Sequence, residues 1–310
     1  MSYNEKEYRR RLSLSEDGNA LMMLIAINLV MFVLFTFLRV VYYITFQQPL
    51  ADIRFQADIY NNLALPSSLT ALVHKPWTII THMIYHYSVW HIISNMLWLW
   101  AFGYILQDLT GTRKLIPIYI YAALLGAAAF ITAFHFIPSL NPLVDSANAV
   151  GASAGVMGVA IATTMIAPGY RIFPMLNGGI PLWVITMIFV IIDLATIPGN
   201  NSGGHIAHLG GALGGFLFIF FLRRGYDGSE WMNNVYDWFN NLFNPDKPKK
   251  GKRVKEQIFY KSKTQPYKKT LNLTQQRVDE ILDKINQKGF SHLTEEEKEI
   301  LKRASQEDLF

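Results

Sequence analysis

Hydrophobic positions fill six long stretches of the first 222 residues, near 20–42, 77–106, 114–137, 151–167, 180–197 and 205–222, with short polar breaks between them. A run of about 20 apolar residues spans a bilayer. Inside hydrocarbon each backbone polar group needs an internal partner, so every span must be helical. The pattern predicts an all-α, polytopic membrane fold with six transmembrane helices. The first stretch is too long to be a removed signal peptide and lacks its small-residue cleavage site.

The flanks read differently. Residues 1–18 form a short charged, basic arm, and residues 19–224 hold the six spans. Residues 225–270 begin with Trp231, Val235, Trp238, Phe239 and Leu242 at helical spacing, which predicts an amphipathic helix over Trp231–Phe243 on the membrane surface. Residues 247–269 then carry ten Lys/Arg and one Glu, with Pro248 and Pro266. This segment reads as a basic linker drawn to anionic lipid headgroups, or as a plain solvated spacer. Residues 271–310 predict a small helical hairpin. Val278, Ile281, Leu282 and Ile285 share one apolar face, Gly289 ends the helix in a left-handed cap, and Thr294 with Glu297 forms a capping box for a second helix bearing Ile300 and Leu301. About 40 residues bury little core, so the hairpin calls for a partner or the membrane surface.

Charge adds an orientation. From Asn19 to Leu222 there are six Lys/Arg and five Asp/Glu. Arg9, Arg10, Arg11, Arg113, Lys114, Arg171, Arg223 and Arg224 fall on one side of the spans, which the positive-inside rule makes cytoplasmic. Both termini are then cytoplasmic, and loops 43–76, 138–150 and 198–204 face outward. The net charge of +5 comes largely from the tail, and nothing in the pattern points to nucleic acid. With no cysteine, a disulfide framework, a thiol nucleophile and a Cys-bound metal are excluded.

Polar and ionisable groups within a membrane usually mark function. Three constellations stand out. His91 and Asn95 lie one turn apart on one helix face and offer side-chain donors to an oxyanion, or serve only interhelical packing. Ser153 follows Gly151 and Ala152 near the start of the fourth span, where free N–H groups and the helix dipole favour an alkoxide. Gly151, Gly155 and Gly158 recur around it at helical spacing, which also suits a packing face. His208, Gly211 and Gly215 share a face of the sixth span. If the two glycine rows pack, His208 reaches Ser153 and can take its proton. Asp193, near the outer end of the fifth span, could complete a triad, but a solvent-facing or structural role is the preferred reading.

Together these motifs resemble the rhomboid family of intramembrane serine proteases over residues 19–224. The family's His-x-x-x-Asn matches His91 and Asn95, its Gly-x-Ser matches Gly151 to Ser153, and its Ala-His-x-Gly-Gly-x-x-x-Gly matches Ala207, His208, Gly210, Gly211 and Gly215. The resemblance implies a Ser153–His208 dyad without a required aspartate. It also implies an oxyanion hole from the Ser153 N–H, His91 and Asn95, no cofactor, and single-span or polytopic membrane proteins as substrates. A bacterial plasma membrane is the implied location. Three positions depart from the family pattern: Ala154 stands where glycine is common, Met157 where some members carry an aromatic residue, and Trp77 is followed by Thr78 rather than arginine.

Rival readings are weaker on the residues present. A catalytically weak or inactive rhomboid-like adaptor typically lacks the serine or the histidine, and both are here. A metal site would draw on His82, His86, His91, His205 and His208, but there is no His-Glu-x-x-His, and no carboxylate is expected to support them. Aspartyl chemistry needs two acids, and Asp193 is the sole acid placed within a span.

Overall fold

A computed structural model describes residues 19–173, 175, 178–240, 242 and 275–305. They form two compact units, one before residue 245 and one after it. The arm over 1–18 and the basic linker over 247–269 lie outside the described residues.

The first unit opens with α1 (Ala20–Thr45), whose start is fixed by the Asn19 side chain accepting from the N–H groups of Leu21 and Met22. Its outer face, including Val30, Val33, Phe37 and Ile44, is exposed and apolar along its length, as suits contact with lipid. The first loop is built rather than open. It holds α2 (Leu50–Phe55), a π-helical turn (Gln56–Tyr60), α3 (Asn61–Leu63), β1 (Leu65–Pro66), α4 (Leu69–His74) and α5 (Thr78–Thr81). Then come a 3-10 turn (His82–Ile84), α6 (Val89–Thr110) and α7 (Leu115–Phe136). A second 3-10 turn (Asn141–Leu143) and β2 (Asn148–Ala149) lead into α8 (Ser153–Ile166). β3 (Arg171–Ile172) pairs with β4 (Ile180–Pro181), and α9 (Leu182–Thr196), α10 (Ser202–Leu222) and α11 (Glu230–Asn240) follow.

All six predicted spans are helical, but their limits move. α1, α6, α7 and α10 are long and apolar enough to cross a membrane, while α8 and α9 have only 14 and 15 residues. The second span does not begin at 77. Residues 78–84 form α5 and the 3-10 turn, and α6 starts only after Ser88, which is extended and accepts from the His91 N–H at 3.3 Å. The sixth helix begins three residues earlier than expected. Gly203 leaves room there for the rings of Phe130 and Phe134, which a Cβ would meet at 2.6–3.0 Å.

α10 sits against both α7 and α8, and its glycines explain how. A Cβ on Gly211 would fall 2.1 Å from the Ala154 carbonyl oxygen, and one on Gly215 would fall 2.0 Å from that of Gly158. A Cβ on Gly210 would lie 2.8 Å from the Leu125 carbonyl oxygen of α7, and one on Gly214 would lie 2.7 Å from the Ala122 Cα. Without Cβ atoms the backbones touch, which replaces the hydrophobic drive that lipid cannot supply. The glycine row of α8 is only partly in this seam. Gly158 is, but Gly155 lies against the Tyr119 ring of α7 and Gly151 against the His91 ring. Gly151 precedes α8, and of the two glycines within it Gly155 faces α7 while Gly158 faces both Ala122 of α7 and the Gly211 carbonyl of α10. The main core lies between α6, α7 and α8, with Leu99, Phe102, Leu106, Ile118 and Val159 fully buried.

α11 is held at the far end of α7. Arg113 forms a two-pronged contact with Asp237 at 3.1 and 3.3 Å, Trp231 Nε1 donates to Tyr121 Oη at 2.6 Å, and Lys114 pairs with Asp227. Trp231, Val235, Trp238 and Phe239 stay exposed. Phe243 lies outside the described residues.

The second unit is a hairpin of α12 (Gln275–Lys288) and α13 (Glu295–Ala304), joined by the 3-10 turn Phe290–His292. Gly289 has φ 85°. Thr294 N–H donates to Glu297 at 2.8 Å and Glu297 N–H donates to Thr294 Oγ1 at 3.3 Å, a reciprocal capping box. The core is Val278, Ile281, Leu293, Ile300 and Ala304, with Ile285 and Leu301 packed on it. Leu282, expected in that face, is 41% exposed, because the second helix crosses nearer to Val278 and Ile281 and Leu293 fills the turn.

Candidate active site

Ser153 is placed by what precedes it. β1 pairs antiparallel with β2, Leu65 opposite Ala149 and Pro66 opposite Asn148, so the first loop grips the approach to the serine. Ser67 Oγ adds a bond of 2.7 Å to the Val144 carbonyl. Gly151 then turns the chain at φ 120°, a region that favours glycine, and its N–H donates to the His82 carbonyl at 2.8 Å. A Cβ there would also lie 2.6 Å from the His91 ring. The turn delivers Ser153 to the first position of α8, where its N–H has no acceptor within the helix.

The close seam between α8 and α10 brings the expected partner. His208 Nε2 is 2.7 Å from Ser153 Oγ. The other ring nitrogen, Nδ1, is 2.9 Å from Asp193 Oδ1. Asp193 is 5% exposed, so the solvent-facing reading of this residue is overturned. The short connection between α9 and α10 carries the end of α9 over the histidine. The same Oδ1 is 2.8 Å from His205 Nδ1, which corrects the expectation that no carboxylate supports these histidines. An ionised carboxylate only accepts, so both Nδ1 atoms donate and His208 presents a bare Nε2 to the serine hydroxyl.

His91 and Asn95 line the same cavity, of about 640 Å³, together with Ser153, His208, Met157, Trp98 and Phe189. The Asn95 amide nitrogen is buried and has no hydrogen-bond partner among the described residues. A buried free donor is costly unless something else satisfies it. Met157 lies one turn after the serine, in the place expected. The Ala154 methyl is turned to α7, where a Cβ on Gly126 would meet it at 2.6 Å. Trp77 anchors the first loop without a neighbouring arginine, its Nε1 donating to the Asn62 carbonyl at 2.8 Å. His82 and His86 act on loops, His82 Nδ1 bonding the Thr78 carbonyl at 2.8 Å and His86 Nε2 accepting from the Ala152 N–H at 3.4 Å.

Sequence reasoning undervalued Asp193 and weighed His205 only as a metal ligand. The i, i+3 spacing of His205 and His208 was visible, but nothing in sequence says that a carboxylate from another helix lies between them. Among the described residues, Asp193, His205 and His208 also form a group that could hold a metal ion, with ligand atoms all within 4.8 Å of one another. Two N–H donors sharing one carboxylate oxygen account for that cluster without one.

Fold and site define a polytopic helical membrane protein with a serine–histidine pair in a cavity among its helices. Residues 73–225 match the Rhomboid domain family model, and the chain belongs to the rhomboid family. It is 27% identical over 155 residues to Rhomboid protein 1, mitochondrial, of Saccharomyces cerevisiae, covering 48% of this chain and 43% of that protein. It is 30% identical over 141 residues to Rhomboid protease GluP of Bacillus subtilis, covering 46% and 25%. Over 56 residues it is 42% identical to Rhomboid protease GlpG of an Enterobacter species, covering 18% and 20%. The chain thus spans less than half the length of these curated relatives. Residues 262–307 match a family of unknown function (DUF6576).

Proposed function

We propose that this protein is an intramembrane serine endopeptidase that cuts membrane proteins within or beside a transmembrane helix. The observation that carries the reading is the 2.7 Å approach of His208 Nε2 to Ser153 Oγ, in a cavity that also holds the unpaired Asn95 donor. The names of the bacterial relatives, both rhomboid proteases, support it.

In this reading a substrate helix enters from the side between α6 and α9, where Trp98 and Phe189 meet edge to face at 4.8 Å. Ser153 Oγ attacks the carbonyl carbon while its proton passes to His208 Nε2. The oxyanion takes hydrogen bonds from the Ser153 N–H, His91 and Asn95. The C–N bond then breaks, and Nε2 returns the proton to the leaving amine. Water attacks the acyl-enzyme, gives a proton to Nε2, and the ester bond breaks as Ser153 regains it. The enzyme then sits in a cell membrane with both termini cytoplasmic and the cavity opening outward.

The test is hydrolysis. Ser153→Ala and His208→Ala are each expected to abolish measurable cleavage of a reconstituted single-span substrate while the protein keeps its helical circular dichroism. Cleavage by either variant at the wild-type rate contradicts the dyad.

A further inference from the structure

We infer that Asp193 and His205 form a positioning pair, so that the site works as a four-member chain, His205–Asp193–His208–Ser153, rather than as a bare dyad. The inference rests on the protease reading above. Its ground is geometric. One carboxylate oxygen lies 2.8 Å from His205 Nδ1 and 2.9 Å from His208 Nδ1, and the far nitrogen of His208 lies 2.7 Å from Ser153 Oγ. The Asp193 side chain is 7% exposed, against 21% and 24% for the two histidines. A carboxylate buried in a membrane helix is costly to keep and needs partners that offset its desolvation. Here both partners are ring N–H groups, and one of them belongs to the general base.

The consequence is a fixed tautomer. Asp193 accepts the Nδ1 proton of His208, which leaves Nε2 without a proton and aimed at the serine. When Nε2 takes the serine proton, the ring becomes an imidazolium with the carboxylate already alongside, as in soluble serine proteases. The Nδ1 proton does not move. His205 has a different task. It lies one turn before His208 on the same face of α10, and its Nδ1 donates to the same Asp193 oxygen at 2.8 Å, which gives the carboxylate a second anchor. Neither Asp193 nor His205 touches the reacting atoms, so both are positioning residues.

The experiment compares wild type, Asp193→Asn, Asp193→Glu and His205→Asn as full chains in liposomes. It measures the rate of fluorophosphonate labelling at Ser153 and kcat and KM on a single-span substrate. Asp193→Asn is expected to lower kcat and the labelling rate by about 100-fold or more with KM little changed, since the wrong tautomer costs ~10^4 in soluble triads. Asp193→Glu is expected to recover part of that loss, and His205→Asn to lose about 10-fold. A wholly structural Asp193 would instead change the yield of folded protein and leave the kinetics of the folded fraction alone. Equal labelling by wild type and Asp193→Asn overturns the inference and leaves the protease reading standing. Wild type that neither labels nor cuts overturns both. If the variants fail to fold, 15N NMR of histidine-labelled wild type decides: a proton on His208 Nδ1 upholds the inference, and a proton on Nε2 overturns it.

Discussion

At the scale of single residues, the proposed site rests on two side-chain donors, His91 and Asn95. The Asn95 amide nitrogen is buried with no partner among the described residues, and His91 lies beside Gly151, where a Cβ would fall 2.6 Å from its ring. Replacing His91 or Asn95 with alanine is expected to slow turnover without unfolding, by up to the ~1000-fold that one oxyanion donor supplies. Measured kcat on a reconstituted substrate checks this, and normal turnover in both variants contradicts it. Ser153, His208, His91 and Asn95 were all legible because their spacing is local: a helix face, a helix start, a glycine-flanked turn. Asp193 was not, since its role depends on how one helix end lies over another, and sequence separation says nothing about that.

Helices carry the site through their glycines. The seam of α10 with α8 has no room for a methyl group at Gly211 or Gly215, where the nearest atoms are backbone. Gly215→Ala is expected to destabilise the protein by about 1–3 kcal/mol or more, as overpacking does. Gly169→Ala, with nothing within 4 Å of its Cβ, is expected to be neutral. Unfolding titrations in detergent separate the two, and equal stability contradicts the seam. The six apolar stretches showed the helices, but not which way each glycine pointed. Gly151 and Gly155 look alike in sequence to Gly158, yet each meets a different neighbour. The second span was read too long because residues 77–88 are nearly as apolar as the helix they precede. What ends the span is the Ser88 cap, not a change in hydropathy.

The membrane unit also has an ionic lock at one end. Burial pushes the Asp227 carboxyl up, but Lys114 and two bonds from Ser229 outweigh it and hold it below the usual carboxylate range. A depressed folded-state pKa gives stability that is present above the unfolded value and lost as pH falls through the folded one. Acidification below about pH 4, the ordinary range for an aspartate, is therefore expected to loosen α11 and change Trp231 fluorescence. Asp227→Asn is expected to remove that dependence on pH. An unchanged acid response in the variant contradicts the assignment. On the scale of the whole chain, the loop structure was the least legible part. A two-residue strand and short helices between residues 46 and 84 leave almost no periodic signal, although the strand's pairing with Asn148 and Ala149 aims the serine.

The measurement that bears most directly on all of this is cleavage of a generic single-span substrate in liposomes by wild type, Ser153→Ala and His208→Ala, with fluorophosphonate labelling in parallel. Wild type is expected to cut and to label, and both variants to do neither. Wild type that leaves substrate intact and Ser153 unlabelled would contradict the protease reading, and would make the protein an inactive rhomboid-like adaptor.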